Sequence, residues 1–295
     1  MLSSNHLKGI VFTVFSQILW GILPVYWKLL SSVNALCILG FRIICSLLLI
    51  IGVLVPRGNT RWIRVLAEPR RRLSAAVAAG LITCNWGLYI WAINAGHTVE
   101  SSLGYYINPL VSIVLGLIFF REALSPLQWV AFGFAAAGVS FLTILSGTFP
   151  WISLCLALSF GFYGLFKKKA DMGALETLGA ETLLASPLAL LFILLPNGAL
   201  QSLGELDGGL WVLLLLAGAV TTIPLYCFAR GAKLLPLSAM GFIQFVNPTI
   251  LLFTGVVIFD EPFPVRNLLA FSLIWVSVIL YSASLLRRSR TSSMS

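Results

Sequence analysis

The chain has 295 residues, of which 59% are hydrophobic and 10% are charged, and its formal net charge is +9. Soluble domains carry about 25% charged residues, so this composition excludes a soluble globular protein. The apolar residues fall into stretches long enough to cross the bilayer, which takes roughly 20 residues for about 30 Å of hydrocarbon. These continuous runs lack the alternation of barrel strands, so we predict an all-α polytopic membrane protein.

Ten apolar stretches follow one another along the chain, separated by short polar breaks. The first is not expected to be a cleaved signal peptide, because it is too long and no small-x-small site follows it. The five cysteines all lie within spans at no metal-like spacing, so neither disulfides nor a metal site is expected. The predicted spans are 10–30, 35–55, 73–95, 101–120, 127–145, 151–166, 177–195, 210–229, 237–259 and 267–286.

The basic residues are unevenly distributed between alternate breaks. If the N-terminus is cytoplasmic, 16 of the 19 lysines and arginines fall on the inner side, and Lys28, Arg42 and Arg266 are the exceptions. The positive-inside rule then predicts that both termini are cytoplasmic. This distribution explains the positive charge without a nucleic-acid partner. The residues on the inner side are Lys8, Arg57, Arg61, Arg64, Arg70, Arg71, Arg72, Arg121, Lys167, Lys168, Lys169, Arg230, Lys233, Arg287, Arg288 and Arg290.

Two stretches around an Asn-Pro pair resemble each other. They are LGYYINPLVSIVLG at 103–116 and FIQFVNPTILLFTG at 242–255. A shift of 139 residues places 108–139 on 247–278 without a gap and aligns eight identical residues. The identities are Asn108/Asn247, Pro109/Pro248, Gly116/Gly255, Phe120/Phe259, Glu122/Glu261, Ala131/Ala270, Phe132/Phe271 and Val139/Val278.

The shift places the fourth span on the ninth, which predicts two five-helix repeats, 1–146 and 147–295. A repeat with an odd number of spans must be inverted in the membrane. In three of four equivalent loop pairs, one loop is basic and the other is not, as inversion requires. Inverted repeats are a recurring architecture of secondary transporters.

Prolines interrupt spans at matching places in the two halves. A proline within a helix removes one backbone hydrogen bond, so we predict helix breaks at Pro109, Pro224 and Pro248. Freed carbonyl groups at membrane depth are tolerated facing protein or a watery cavity. Matching broken helices point to the substrate site of such transporters. The alternative is that the prolines only kink the helices and shape their packing.

Polar and aromatic side chains accompany these prolines within the spans. Asn85 and Tyr89 share one helix face, and an asparagine within the membrane needs a partner, either a neighbouring helix or a ligand. A cavity lined by aromatic rings and a few amides suits a flat organic or zwitterionic solute. The candidate substrate-binding residues are Trp20, Asn85, Trp86, Tyr89, Tyr105, Asn108, Thr222, Gln244 and Asn247.

Two ionisable residues lie inside spans, where a charge is costly and often functional. Arg42 and Glu181 are repeat equivalents, but their depths differ by roughly 10 Å, so no direct ion pair is expected. Arg42, with Lys28, is a candidate for attracting an anionic group. Glu181 is a candidate for proton coupling, with hydrogen bonding to a neighbouring helix as the alternative. Glu122 and Glu261 end their spans and are expected to cap helices or fix loops.

Enzyme signatures are absent from the sequence. It has no GxxxxGK[ST] phosphate loop, no HExxH and no GxSxG. We therefore expect no catalytic site, no cofactor and no direct use of ATP.

Several stretches are similar to the sequences of a known family. LWGILPVYWKLL on the first span, NWGLYIWAINAGHTVESSLGYYINPLVSIVLG on the third and fourth, and TTIPLYCFARGAKLLPLSAMGFIQFVNP on the eighth and ninth resemble the RarD group of the EamA family. This group belongs to the drug/metabolite transporter superfamily. The resemblance implies ten helices in two inverted halves around a cavity lined by the third, fourth, eighth, ninth and first helices. It also implies a bacterial inner-membrane permease or exporter of small organic solutes, of a kind described through chloramphenicol sensitivity.

The sequence therefore leaves two alternative functions from different classes open. One is a secondary transporter that works by alternating access. The other is a membrane-embedded lipid-handling or signalling protein without solute turnover, which would have a lateral opening towards lipid. Small residues such as Ala131 and Ala135 could form a homodimer interface or pack within one chain.

Overall fold

A computed structural model describes residues 4–147, 149–194, 203–204, 206–260 and 265–291. All regular secondary structure in these ranges is helical. The predicted capping residue Glu261 lies outside this part. In chain order the helices are α1 Ser4–Leu29, α2 Ala35–Leu54, α3 Arg61–Arg64, α4 Pro69–Asn94, α5 Thr98–Phe120, α6 Pro126–Ser146, α7 Trp151–Lys169, α8 Ala174–Leu194, α9 Gly208–Leu234, α10 Leu237–Gln244, α11 Val246–Phe253 and α12 Leu268–Thr291. A π-helical turn, Thr254–Ile258, extends α11.

Nine helices in the described ranges are long and apolar enough to cross a membrane, with α10, α11 and the π-helical turn counted as one. They coincide with nine of the predicted spans. The tenth prediction, 151–166, falls on α7, whose last turn carries Lys167, Lys168 and Lys169. The prediction of an all-α polytopic membrane protein is confirmed.

Side-chain caps fix where several helices begin. Asn34 accepts a hydrogen bond from the backbone N–H of Leu36 at 2.9 Å and so starts α2. Ser125 and Gln128 form a reciprocal capping box at the start of α6. Asp207 accepts from the N–H of Leu210 at 2.8 Å and starts α9. Polar residues between apolar runs thus set the boundaries, because the first N–H groups of a helix lack partners within it.

The arrangement of helices repeats along the chain. α2 and α8 begin at Ala35 and Ala174, and α5 and α10 begin at Thr98 and Leu237, in both cases 139 residues apart. Equivalent helices also pack on one another, as α2 does on α8, α5 on α10, and α6 on α12. α1 packs on α9 as α4 packs on α7. The contacts therefore follow the spacing of the Asn-Pro motifs.

The small-residue face of α6 packs within the chain. Ala131 and Ala135 are fully buried. A Cβ atom on the neighbouring Gly138 would lie 2.8 Å from the backbone oxygen of Ala270 on α12. The face is thus occupied by α12 at close range, so Ala131 and Ala135 pack within the chain, which is one of the two alternatives left open by the sequence. A homodimer through other surfaces stays a prediction.

Candidate functional site

A cavity of about 140 Å³ lies between the two halves of the chain. It occupies the end of the bundle where α4 ends and α5 begins, which we call the cavity end. The opposite end, where α5 ends and α10 begins, is filled by buried side chains such as Leu237, Met240 and Phe242, and we call it the closed end. The lining residues are Gln17, Trp20, Leu23, Pro24, Trp27, Arg42, Asn85, Trp86, Tyr89, Ser101, Gly104, Tyr105, Asn108, Leu156, Phe160, Leu225, Gln244, Asn247 and Leu251.

The structure brings eight of the nine candidate substrate-binding residues together around this cavity. They are Trp20, Asn85, Trp86, Tyr89, Tyr105, Asn108, Gln244 and Asn247. Thr222 is buried outside the lining, and its hydroxyl has no hydrogen-bond partner in the described ranges. Residues from α2 and α7 also line the cavity, beyond the five helices that the resemblance implied.

Two amides from equivalent helices meet at the cavity wall. Nδ2 of Asn108 donates to Oε1 of Gln244 at 2.8 Å, and Oγ of Ser112 donates to the same oxygen at 3.2 Å. Oδ1 of Asn108 and Nε2 of Gln244 are buried and have no hydrogen-bond partner among the described residues. Buried polar atoms are normally paired, so one acceptor and one donor on these cavity-lining residues lack a partner among the described residues in this conformation.

Asn85 is held by the neighbouring helix. Its Nδ2 donates to the carbonyl of Leu156 and to Oγ of Ser159, both at 2.8 Å on α7. It therefore connects α4 to α7 and borders the cavity at the same time, which joins the two alternatives that the sequence left open for this asparagine.

Aromatic rings close the cavity towards the middle of the bundle. The ring of Trp20 lies 5.4 Å from Phe160 and 5.5 Å from Phe228, centroid to centroid. Tyr163 stacks on Phe228 with an interplanar angle of 11°. Nearer the mouth, Tyr105 meets the edge of Tyr89 at 5.9 Å. A solute in the cavity would thus rest against rings on several sides.

Arg42 extends from α2 into the cavity. Its guanidinium carbon lies 4.6 Å from the ring centroid of Trp27 and 4.3 Å from that of Trp86. Its Nε donates a hydrogen bond of 3.0 Å to Oγ1 of Thr221 on α9. Within the described residues, no carboxylate oxygen lies within 4.0 Å of its nitrogens. The charge of Arg42 therefore faces rings and a hydroxyl group instead of an acid.

Lys28 does not join Arg42 in the cavity. Its side chain is exposed, and its Nζ lies 4.2 Å from the ring centroid of Phe259. The two cations, which the sequence grouped as one anion-attracting pair, thus occupy different surroundings. Only Arg42 belongs to the cavity wall.

Glu181 is engaged in a buried ion pair. It lies 2.7 Å from Nζ of Lys167, and both side chains are almost fully buried. The hydroxyl of Tyr163 donates to Oε2 of the same carboxylate at 3.3 Å. Glu181 and Arg42 are thus not paired, as expected from their depths. Lys167 was predicted to lie in a polar loop, but α7 continues past it and carries it into the protein.

The prolines interrupt the helices less than predicted. α5 continues through Pro109 and α9 continues through Pro224, because the remaining hydrogen bonds and the packed neighbours hold each helix together. Only the span of Pro248 is divided, and the division falls at Phe245 between α10 and α11. The predicted breaks at Pro109 and Pro224 are thereby corrected.

Pro109 nevertheless marks a close approach of the halves. A Cβ atom on Gly241 of α10 would lie 2.6 Å from the backbone oxygen of Pro109. Glycine is therefore needed there for α5 and α10 to pack this closely. Tyr106 on α5 also donates a long hydrogen bond of 3.4 Å to the carbonyl of Pro248 on α11.

Glu122 caps a helix of the other half. Its two carboxylate oxygens accept hydrogen bonds from the backbone N–H groups of Leu237 at 2.7 Å and Ser238 at 2.8 Å. These groups begin α10, so the predicted capping role is confirmed for Glu122. Lys168 adds a hydrogen bond of 2.5 Å to the carbonyl of Leu235 nearby.

Sequence reasoning missed three contributors to the cavity. Trp27 sits in the last turn of α1, where a tryptophan usually reads as an interface anchor. Phe160 is one of several aromatic residues in its span, and nothing in the sequence distinguishes it from the others. Thr221 lies next to the candidate Thr222 and contributes indirectly, because it accepts the hydrogen bond of Arg42. Nothing in the sequence distinguishes these two threonines.

Comparisons with known proteins agree with this architecture. The model of the EamA-like transporter family matches residues 7–144 and again 150–283. A crystal structure of a protein that is 19% identical superimposes with a TM-score of 0.72 over 98% of this chain and 99% of its own, which shows a shared fold.

Relatives extend over nearly the whole chain. The uncharacterized transporter YojE of Bacillus subtilis is 43% identical over 97% of both chains. Protein RarD of Streptomyces exfoliatus is 41% identical over 96% of this chain and 91% of its own. The chloramphenicol-sensitive protein RarD of Pseudomonas aeruginosa is 30% identical over 95% and 96%. The chain is therefore a member of the EamA-like transporter family, a membrane transporter and not an enzyme.

Proposed function

We propose that the chain is a secondary transporter of small organic solutes, with the central cavity as its binding site. The observation that carries this proposal is the pair of unpaired amide atoms at the cavity wall, Oδ1 of Asn108 and Nε2 of Gln244. An unpaired buried polar atom costs about 1–3 kcal/mol, which a solute that donates and accepts hydrogen bonds would offset.

The proposed mechanism is alternating access. The chain crosses the membrane ten times as two inverted five-helix repeats, 1–146 and 147–295, with both termini in the cytoplasm of a bacterial inner membrane. Equivalent helices pack in pairs across the halves, so rocking one half against the other would close the cavity end as the closed end opens. Contacts at the closed end, such as Glu122 with Ser238, would part in that step.

The alternative of a lipid-handling or signalling protein is less well supported. The wall of the cavity combines aromatic and aliphatic side chains with amides and a guanidinium group, whereas lipid chains would not need those polar groups. A mostly apolar wall with a few polar groups is typical of sites for small organic molecules.

Cysteine accessibility tests the location of the site. In a variant without the five native cysteines, a cysteine at 108 should react with a membrane-impermeant thiol reagent, because position 108 borders the cavity. Ile118 lies on the same helix with 63% of its side chain exposed on the outer surface of the bundle. A cysteine there should be shielded by lipid and should react more slowly.

Flux measurements test the function itself. Vesicles containing the protein should take up at least one solute of a chemically mixed panel faster than empty vesicles. Replacing both Asn108 and Gln244 with leucine should reduce that uptake by about tenfold or more, since each lost polar contact weakens binding by roughly that factor. Thr143→Val is the matched control, because its hydroxyl bonds the carbonyl of Val139 in its own helix, away from the cavity. Uptake that survives the double replacement would reject the proposed site.

A further inference from the structure

We propose that Arg42 binds the carboxylate group of the transported solute, so that the substrates are small organic acids or zwitterions. This inference rests on the proposed transport function and specifies the class of solute. It is carried by the contacts of Arg42, by its repeat equivalent and by the shape of the cavity.

The first argument is that Arg42 lacks a counter-charge. A charged side chain at membrane depth is costly and normally finds a partner. Apart from the hydrogen bond of Nε to Thr221, no hydrogen bond links its guanidinium to a residue in the described part of the chain. The two terminal nitrogens thus remain available on the side of the cavity. Two parallel N–H groups of a guanidinium match the two oxygens of a carboxylate.

The second argument comes from the equivalent position in the other half. Lys28 and Arg42 lie 139 residues before Lys167 and Glu181. In the second half the acid neutralises the lysine at 2.7 Å. In the first half, Arg42 occupies the position equivalent to Glu181, and it lines the cavity. The protein therefore has a paired version of this site and one without an acid. Only the latter borders the central cavity, whereas Glu181 borders a separate pocket between α4, α7 and α8.

The third argument concerns the direction of binding. Trp27 and Trp86 both lie against the guanidinium of Arg42, at 4.6 Å and 4.3 Å. Two rings already contact the guanidinium carbon, so we expect a ligand to bind through the N–H groups, which lie in the guanidinium plane. An anionic oxygen fits there. A cationic solute would be repelled by the charge.

The fourth argument sets the size of the solute. A cavity of about 150 Å³ in another protein holds benzene, and this cavity measures about 140 Å³. The rings of Trp20, Phe160 and Tyr105 suit an apolar part of about this size. The unpaired atoms of Asn108 and Gln244 suit an additional amino or amide group on the solute.

Thermal unfolding of the purified protein tests the inference with matched ligand pairs. Benzoate and phenylacetate should raise the unfolding midpoint, because a ligand that binds the folded form stabilises it. Benzamide and phenylacetamide have the same shape without the charge and should raise it less. Arg42→Gln should weaken acid binding by about ten- to a hundredfold, as expected for a hydrogen bond to a charged group. Arg42→Lys keeps the positive charge but lacks the two parallel N–H groups, so its affinity for acids should lie between those of the parent and Arg42→Gln.

Arg57→Gln is the matched control for the loss of a positive charge. Arg57 is exposed and donates to the carbonyl of Val53 outside the cavity, so its replacement should leave acid binding unchanged. Equal or absent stabilisation by acids and amides would overturn the inference, as would unchanged acid binding in Arg42→Gln.

Flux separates this inference from the proposed function. Uptake of organic acids that is unchanged in Arg42→Gln would overturn the inference and leave transport in place. Acid binding that depends on Arg42 without any flux would support the inference and count against transport.

Discussion

At the closed end of the bundle, polar groups of the two halves are paired with one another, whereas at the cavity end several are left without a partner. Glu122 receives two backbone N–H groups of α10, and Arg71 binds Asp171 at 2.7 Å. Near the cavity, and within the described part of the chain, Arg42 hydrogen-bonds a hydroxyl group and no acid, and an oxygen of Asn108 has no partner.

The difference separates two uses of polar groups inside a membrane protein. Paired groups hold elements together and cost little once satisfied. Unpaired groups next to a cavity are costly until something binds them, so they point to a ligand. Removing a member of a paired set should therefore lower the stability of the protein, whereas removing an unpaired group should weaken ligand binding.

The largest effect is expected at the buried pair of Lys167 and Glu181. Glu181→Ala leaves the ammonium group of Lys167 buried without its counter-charge, which should lower the free energy of unfolding by about 3–5 kcal/mol. Chemical or thermal unfolding in detergent measures this change. Replacing both residues, as in Lys167→Met with Glu181→Leu, should recover most of the stability, because no charge is then left unpaired. A single variant as stable as the parent would contradict the role of the pair.

The close approach of the halves at Gly241 should give the next effect. A Cβ atom there would meet the backbone of Pro109 at 2.6 Å, so Gly241→Ala should destabilise the protein by about 1–3 kcal/mol through overpacking. Gly133 is a matched control within α6, because no atom lies within 4 Å of its added Cβ. Gly133→Ala should leave the unfolding midpoint unchanged or slightly raised. Equal losses of stability in both variants would show that the effect of Gly241→Ala does not come from the contact with Pro109.

Much of this arrangement could be predicted from the sequence because hydropathy and repetition are local signals. The 139-residue spacing of Asn108 and Asn247 reappears in the starts of equivalent helices. Eight candidate residues line one cavity, because polar side chains within membrane spans form hydrogen bonds with neighbouring helices.

The errors arose where a side chain depends on a partner distant in sequence. Lys167 belongs to a run of three lysines, which hydropathy assigns to a loop, and its partner Glu181 lies on the next helix. The prolines were read as breaks, although packing keeps α5 and α9 continuous around Pro109 and Pro224. The choice between Thr221 and Thr222 depends on helix rotation, which the sequence does not specify to one residue.

A smaller effect is expected from loosening the closed end. Glu122→Gln weakens the cap on α10 by about 1 kcal/mol, or roughly fivefold in the population of states in which this end opens. A cysteine at 108 should then react faster with an impermeant reagent applied from the side of the closed end. Glu68→Gln is the control, because Glu68 pairs with Arg71 at the exposed surface within the first half, where ion pairs contribute little. Labelling that does not change in Glu122→Gln would mean that this cap does not restrain opening.

The most selective effect is expected from two neighbouring threonines on α9. Thr221→Val removes the acceptor of the Arg42 Nε hydrogen bond and should cost about 1–2 kcal/mol, with weaker benzoate binding because the guanidinium loses its orientation. Thr222→Val removes a buried hydroxyl that has no partner in the described ranges, so it should be neutral or slightly stabilising. The two changes are the same in chemistry and adjacent in sequence, and unfolding midpoints together with benzoate affinity compare them directly. A larger loss in Thr222→Val than in Thr221→Val would mean that the distinction between paired and unpaired groups does not apply to this helix.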